Sequence, residues 1–141
     1  SHATGSLVIG SPESVSNYWE DVDVLVVAGC SVLDINDYEN HYPVGAGHED
    51  SPGRRWEQVG PDTLLGYNYS APLDSQGSAD IVRTWLSCRK DPGMDDVQAW
   101  RDANNNSSGR YACAIKRGQS YHYFNNIGVL YFWTTVPKEN W

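Results

Sequence analysis

The stretch Asp21-Val-Asp-Val-Leu-Val-Val-Ala-Gly-Cys30-Ser-Val-Leu-Asp34 decides the fold of this chain. Residues 24–28 form an unbroken apolar run between acidic residues and a glycine, which predicts a strand buried on both faces. Such a strand implies a parallel or mixed sheet with helices on both faces. Cys30 follows at the carboxyl end of the predicted strand, where open α/β sheets place ligands and catalytic groups.

The flanking sequence predicts further strands and helices, in an order that indicates an α/β protein. Apolar and β-branched runs predict strands at residues 7–9, 63–67, 111–115, 121–124 and 129–135. Helical spacing and capping residues predict helices at residues 13–19, 53–59 and 78–86, with another capped by Asp95 or Asp96. The last strands form an aromatic-rich pair near the C-terminus. We expect residues 1–141 to form a single domain or the C-terminal part of one.

Composition restricts the class of partner. The 141 residues carry a net charge of −8, whereas nucleic acids and anionic membranes select basic patches. The chain also has no apolar run approaching the about 20 residues of a membrane helix. We therefore expect a soluble protein with a peptide or protein substrate and with neither nucleic acid nor membrane as partner. Its localisation stays open, and secretion and release from a larger precursor are both alternatives.

The cysteines and histidines give no recognisable metal site. The chain has three cysteines, so at most one disulfide can form, and a Cys88–Cys113 pair would leave Cys30 free. No cysteine or histidine spacing matches a zinc site. The polar loop at residues 35–53 contains His41, His48, Glu49 and Asp50, and calcium binding by this loop stays an open alternative. We expect no cofactor.

Cys30 is the strongest candidate for a catalytic residue. A thiolate is a nucleophile, and a neighbouring histidine promotes its formation. His2 precedes the predicted strand at residues 7–9, and we expect it to lie beside Cys30 at one edge of the sheet. The alternative interpretation is that Cys30 packs as a small, inert hydrophobic residue.

Two blocks of sequence resemble the caspase-like cysteine peptidases, which include caspases, metacaspases, gingipains and clostripains. They are Ser1-His2-Ala-Thr-Gly5-Ser-Leu-Val-Ile-Gly10 and Asp23-Val-Leu-Val-Val-Ala-Gly-Cys30-Ser. The resemblance covers residues 1–75 and implies a mostly parallel sheet flanked by helices. It also implies that the superfamily's first strands belong to an N-terminal portion of the same precursor.

The same resemblance implies the site residues. His2 matches the catalytic histidine and Cys30 the nucleophile, with backbone N–H groups at Ala3 and Cys30 holding the oxyanion. The segment from Arg54-Arg-Trp56 to Tyr67-Asn-Tyr-Ser-Ala-Pro72 resembles the strand and loop that line the specificity pocket, which assigns Tyr67 to substrate binding.

Two acidic residues are predicted to bind a basic side chain of the substrate. Asp34 lies four residues after Cys30, and Asp74 follows the segment that contains Tyr67. Since a carboxylate matches a guanidinium group, we expect a cysteine endopeptidase that cleaves after basic residues. Two alternatives remain open. Ala3, where the superfamily has glycine, favours a catalytically inactive caspase-like binding module, and the aromatic content favours a binding or structural protein with a buried Cys30.

Overall fold

The computed structural model describes residues 21–35, 51–106, 108–127 and 130–141. The elements predicted at residues 7–9 and 13–19 lie outside this part of the chain. The described strands and helices are β1 Val24–Val26, α1 Pro52–Val59, β2 Thr63–Tyr67, α2 Ser78–Cys88, α3 Asp96–Ala103, β3 Ala112–Lys116, β4 Ser120–Ile127 and β5 Leu130–Pro137. Short 3-10 turns lie at Asp74–Gln76 and Lys138–Asn140. The positions of the predicted elements within these ranges are confirmed.

The five described strands form one mixed sheet in the order β1-β2-β3-β4-β5. β1 and β2 are parallel, with Val24 opposite Thr63, and the other three neighbouring pairs are antiparallel. The expectation of a mostly parallel sheet is therefore wrong for the described strands. The connection from β1 to β2 includes α1, in keeping with the helical crossover that parallel neighbours usually have. The connection from β2 to β3 includes α2 and α3, and those two strands are antiparallel.

The sheet has helices on both faces, as predicted, and β2 shows how alternate residues separate the two cores. Leu65 and Tyr67 pack with Trp100 of α3 and Trp85 of α2. Leu64, which precedes Leu65, belongs to the opposite core, which contains Leu33, Ile35, Cys113, Ile115 and Tyr121 and against which Trp56 of α1 packs. This division follows from the two-residue period of a strand. We call these surfaces the α2–α3 face and the α1 face.

The first strand is less buried than the sequence predicted. All three residues of β1 are partly exposed, whereas four of the five residues of β2 are buried. β2 therefore provides the buried centre, and β1 lies beside it as a half-buried strand.

The aromatic strand pair near the C-terminus is confirmed as the hairpin of β4 and β5. Phe124 and Trp133 are directly opposite and pack edge to face, with ring centroids 4.8 Å apart. Tyr121 is fully buried on the α1 face, where its hydroxyl donates to the Leu33 carbonyl at 3.2 Å. These aromatic side chains therefore contribute to both cores.

Candidate functional site

Backbone hydrogen bonds fold the chain after β1 back over β2 and fix the position of Cys30. The Val27 N–H donates to the Leu65 carbonyl at 2.8 Å, and the Ser31 N–H donates to the Tyr69 carbonyl at 2.7 Å. Gly66 makes room for this crossing, because a Cβ on it would lie 2.9 Å from both the Val27 carbonyl oxygen and Leu33 Cδ1. Cys30 is thus held beside the loop that follows β2.

The residue after Cys30 adopts an unusual backbone conformation. Ser31 has a φ of 56°, and it is the one residue other than glycine with positive φ in the described part of the chain. The left-handed region costs an L-residue about 1–2 kcal/mol. The hydrogen bond from Ser31 to Tyr69 helps to maintain it. Strained backbone of this kind concentrates at functional sites, so its position beside Cys30 supports a functional role.

The three cysteines have free thiols in very different surroundings. Cys30 is exposed, and its Sγ accepts a hydrogen bond from the Ala71 N–H at 3.3 Å. Cys88 is partly buried and packs on the α2–α3 face, whereas Cys113 is fully buried on the α1 face. Burial raises the pKa of Cys113 strongly. Cys30 is therefore the thiol that an external molecule can reach, which the alternative of a buried structural Cys30 did not predict.

A pocket of about 600 Å³ opens on the α2–α3 face, next to the loop that carries Cys30. Its lining includes Ala28 from the segment after β1, Tyr67 and Ala71 from β2 and its loop, and Asp74, Ser78 and Val82. Ala71 both lines the pocket and donates to the Cys30 thiol. Of the predicted site residues, Tyr67 and Asp74 line this pocket, and Cys30 is joined to it through Ala71. We call this cavity the acidic pocket.

Asp74 gives the acidic pocket its charge. Its Oδ1 accepts a hydrogen bond from the Ser78 hydroxyl at 2.8 Å, and the side chain remains exposed. The described residues that line the pocket include no lysine or arginine. The Asp74 carboxylate therefore lies in an open cavity, and the Ser78 hydroxyl orients one of its two oxygens.

Tyr67 forms a wall of the acidic pocket and has no role as an acid or base. The residue is 3% exposed, its ring packs against Trp100, and its hydroxyl donates to Asn104 Oδ1 at 2.8 Å. Burial, assisted by the nearby Cys113, raises the pKa of Tyr67 far above the physiological range. Its phenol therefore stays neutral.

Asp34 lies on the other side of the sheet from Asp74. It is 4% exposed, and its carbonyl accepts a hydrogen bond from the Gly53 N–H at 2.8 Å. Burial is the main cause of the raised pKa of both Cys113 and Tyr121, and the charge of Asp34 is a smaller cause. Both of these residues belong to the α1 face. The structure does not bring Asp34 to the acidic pocket, because the segment after Cys30 turns inward.

The arginine pair of the resemblance also lies away from this pocket. Arg54 and Trp56 are in α1, where Arg54 Nε donates to the Ile35 carbonyl at 3.2 Å and Trp56 packs on the α1 face. Of the segment assigned to a specificity pocket, the part from Tyr67 to Pro72 supplies lining residues. The helix at residues 52–59 does not.

His2 and Ala3 lie outside the described residues, as do His41, His48, Glu49 and Asp50 of the predicted loop. His122 is the one histidine in the described ranges, and its ring nitrogens contact Ser120 Oγ at 2.8 Å and Thr135 Oγ1 at 3.1 Å.

His122 lies on β4, three strands from β1, so the described residues provide no histidine beside Cys30. Over the same ranges, no three His, Cys, Asp or Glu side chains form a group that could hold a metal ion.

Sequence reasoning missed three participants at this site. The Ala71 N–H and the Ser78 hydroxyl orient Cys30 and Asp74, and Arg110 lines a second cavity that also includes Ala71. A backbone donor has no signature in a sequence. Ser78 lies four residues after Asp74, a spacing that is common between neighbours near the start of a helix.

No protein-family model, curated protein or solved structure matches this chain. The described residues define an α/β protein with a five-stranded mixed sheet and three helices. None of the described helices has the length and apolar character that crossing a membrane requires. The resemblance to caspase-like peptidases rests on the sequence motifs alone.

Proposed function

We propose that this protein is a caspase-like cysteine endopeptidase that cleaves after basic residues, with Cys30 as its nucleophile. One observation carries the proposal: the exposed Cys30 thiol accepts a hydrogen bond from Ala71, and Ala71 lines the pocket that contains the Asp74 carboxylate. A reachable thiol and a binding site for a basic side chain are thus adjacent. His2, outside the described residues, is the base that the sequence resemblance supplies.

The proposed reaction is acyl transfer through a thioester. The Cys30 thiolate attacks the peptide carbonyl carbon, and the C–N bond breaks as His2 gives its proton to the leaving amine. His2 then takes a proton from water, which attacks the thioester carbonyl. This step releases the carboxylic acid and restores the Cys30 thiolate with a protonated His2. The reaction needs no oxidant, reductant or cofactor.

The backbone N–H of Cys30, with one near Ala3, is proposed to stabilise the oxyanion. The N–H groups on either side of Cys30, those of Gly29 and Ser31, donate to the carbonyls of Val27 and Tyr69. Within the described residues, no backbone carbonyl accepts from Cys30 itself. Its N–H is therefore a candidate to donate to a substrate oxygen.

Asp74 is proposed to select a basic side chain before the cleaved bond. It is an exposed carboxylate in an open cavity, and a guanidinium or ammonium group entering there would meet no lysine or arginine among the described lining residues. The position of Asp34 on the α1 face supports assigning this role to Asp74 alone.

The first test is the rate at which Cys30 reacts with iodoacetamide as a function of pH, in the parent protein and in His2→Ala. We expect rapid reaction at pH 6 in the parent and a loss of at least about tenfold in His2→Ala, because an imidazolium partner favours the thiolate. Cys30→Ser identifies the signal from the other thiols. A Cys30 that reacts only after denaturant is added contradicts the proposal.

A second candidate function is binding of basic peptides without cleavage. The observation that favours it is that the acidic pocket consists of described residues and needs no base to bind a cation. The two functions differ in their dependence on the thiol. A binding module retains its affinity for an arginine peptide in Cys30→Ser and leaves the peptide intact in the parent, whereas a peptidase hydrolyses it in the parent alone.

A further inference from the structure

A second, smaller cavity lies on the other side of Ala71 from the acidic pocket. Its volume is about 180 Å³, and it is lined by Ser70, Ala71, Gln76, Ser108, Arg110 and Tyr111. Ala71 lines both cavities and donates its N–H to the Cys30 thiol at 3.3 Å. The nucleophile of the proposed reaction therefore lies beside the boundary between two pockets. We call the second cavity the Arg110 pocket.

The two pockets carry opposite charges. Among the described residues that line it, the acidic pocket contains Asp74 and no lysine or arginine. The described lining of the Arg110 pocket contains Arg110 and no aspartate or glutamate, and it includes hydroxyl groups that can donate to an anion. The chain has 18 acidic and 10 basic residues, so most arginines and lysines are expected to lie near a carboxylate. A pocket whose described lining has an arginine and no carboxylate differs from that expectation.

The Arg110 guanidinium is held in place by aromatic side chains. Its central carbon lies 4.9 Å from the ring centroid of Tyr111, and Tyr111 packs edge to face against Tyr69, also at 4.9 Å. The Tyr69 carbonyl accepts the Ser31 N–H, which connects this aromatic pair to the loop of Cys30. In the described residues no carboxylate forms an ion pair with Arg110, whose side chain is exposed. Its described polar partners are the hydroxyl groups of Tyr111 and Tyr131, which are neutral.

The spacing of the pockets suits neighbouring residues of a peptide. Ser70 lines the Arg110 pocket and Pro72 lines the acidic pocket, and residues two apart are separated by at most about 7 Å in an extended chain. Successive side chains of an extended peptide lie at a comparable separation and point in opposite directions. One extended peptide passing Cys30 can thus present one side chain to each cavity.

We propose that the substrate is a peptide with a basic residue in the acidic pocket and an acidic residue in the Arg110 pocket, on the two sides of the carbonyl next to Cys30. The proposal rests on the proposed function for the position of the cleaved bond, and Arg110 is a specificity-determining residue in it. Since cleavage follows the basic residue, the acidic residue lies on the leaving side. The substrate class is therefore a chain with adjacent basic and acidic residues.

The test measures binding separately from cleavage. Two fluorescein-labelled peptides, Gly-Gly-Arg-Asp-Gly and Gly-Gly-Arg-Asn-Gly with blocked termini, are titrated by anisotropy against the 141-residue chain carrying Cys30→Ser, where serine keeps an acceptor for the Ala71 N–H. We expect the Asp peptide to bind about fivefold more tightly, the size of a partly exposed ion pair. The preference should disappear with an added Arg110→Gln, and Arg110→Lys should restore part of it.

Arg83→Gln is the matched control. Arg83 is an exposed arginine of α2 that pairs with Asp80 at 2.9 Å and lines neither pocket. The preference for the Asp peptide should persist in this variant. Equal binding of the two peptides, a preference that survives Arg110→Gln, or one that is also lost in Arg83→Gln overturns the proposal.

Cleavage of the same peptides by the parent protein separates this inference from the proposed function. Binding with an Arg110-dependent preference but no cleavage supports the two-pocket inference and contradicts the peptidase. Cleavage at equal rates, with no difference in binding, supports the peptidase and overturns the role of Arg110. If neither peptide binds or is cleaved, both proposals are wrong.

Discussion

The backbone N–H of Ala71 donates a hydrogen bond to the thiol of Cys30 across 3.3 Å, and this contact joins the loops that follow β1 and β2. The two residues are 41 positions apart in the chain. Because β1 and β2 are parallel, their carboxyl ends meet at one edge of the sheet, and the loops that leave them become neighbours. The position of the candidate nucleophile is therefore set by the neighbouring strand as well as by its own.

Thiol accessibility predicts the order in which the three cysteines react. Native protein treated with iodoacetamide should be modified first at Cys30, then at the half-buried Cys88, and last at Cys113, which is fully buried. Modification of Cys113 requires local opening, so we expect a rate more than about a hundredfold lower than that of Cys30. Mass spectrometry of tryptic peptides measures each site. In denaturant the three rates should converge, and fast native labelling of Cys113 would contradict its described position.

Asp74 predicts how activity depends on the charge of the substrate. Asp74→Asn keeps an acceptor for the Ser78 hydroxyl but removes the negative charge. We expect kcat/KM for an arginine peptide to fall about fivefold or more, and kcat/KM for the matched citrulline peptide to stay within about twofold. Asp62→Asn is the control, since Asp62 is exposed and lines none of the pockets beside Cys30. Equal losses for both peptides would indicate a general disturbance rather than charge recognition.

Local pattern was sufficient to place the helices and strands that the structure describes. The helix from Pro52 begins with proline after serine, and Asp95 caps α3 by accepting the Gln98 N–H at 2.8 Å. Residues 63–67 were predicted as a strand and form β2. These features depend on neighbours within a few positions, which is the range over which sequence patterns carry information.

Strand direction and the inward turn of Asp34 could not be read from local pattern. The direction of β3 depends on α2 and α3 packing as a pair between β2 and β3, which is a tertiary arrangement. Asp34 lies in an apolar segment, and the hydrogen bond from the Leu33 N–H to the Tyr67 carbonyl carries that segment over β2 into the α1 face. The sequence pattern therefore singled out Cys30, Tyr67 and Asp74, whose catalytic and binding roles stay predictions, but it also grouped Asp34 with them and gave no sign of the contacts from Ala71 and Ser78.

The hydrogen bond between Tyr67 and Asn104 predicts a measurable contribution to stability. Both residues are buried, so Tyr67→Phe leaves Asn104 Oδ1 without its donor in an apolar environment. We expect the free energy of unfolding to fall by about 1–3 kcal/mol in urea denaturation. A double-mutant cycle with Asn104→Ala isolates the pair, because once the amide is gone the hydroxyl should matter less. Additive losses would show that the hydrogen bond contributes little.

His122 predicts that stability decreases as pH falls from about 6.5 to about 4. Burial lowers its pKa from 6.5 to about 4, with a further decrease from Lys116 and an opposing effect of Asp95. Ser120, Thr135 and the stacked ring of Trp133 are its other contacts on the strands. Within this interval the unfolded chain binds a proton that the folded protein excludes, so protonation favours unfolding.

His122→Gln removes the titrating group and should flatten the pH dependence of the urea midpoint between pH 7 and 4.5. Asp95→Asn provides a contrast in a different pH range. Burial raises the pKa of Asp95, but the Gln98 N–H and Lys116 outweigh this effect and the pKa is lowered overall. Its stabilising contribution is therefore lost only as pH falls below the ordinary value of an aspartate, 3.8. An unchanged slope in His122→Gln would show that His122 is protonated without cost in the folded protein, and its ring would then have to be more open to water than its contacts with Trp133 and Thr135 imply.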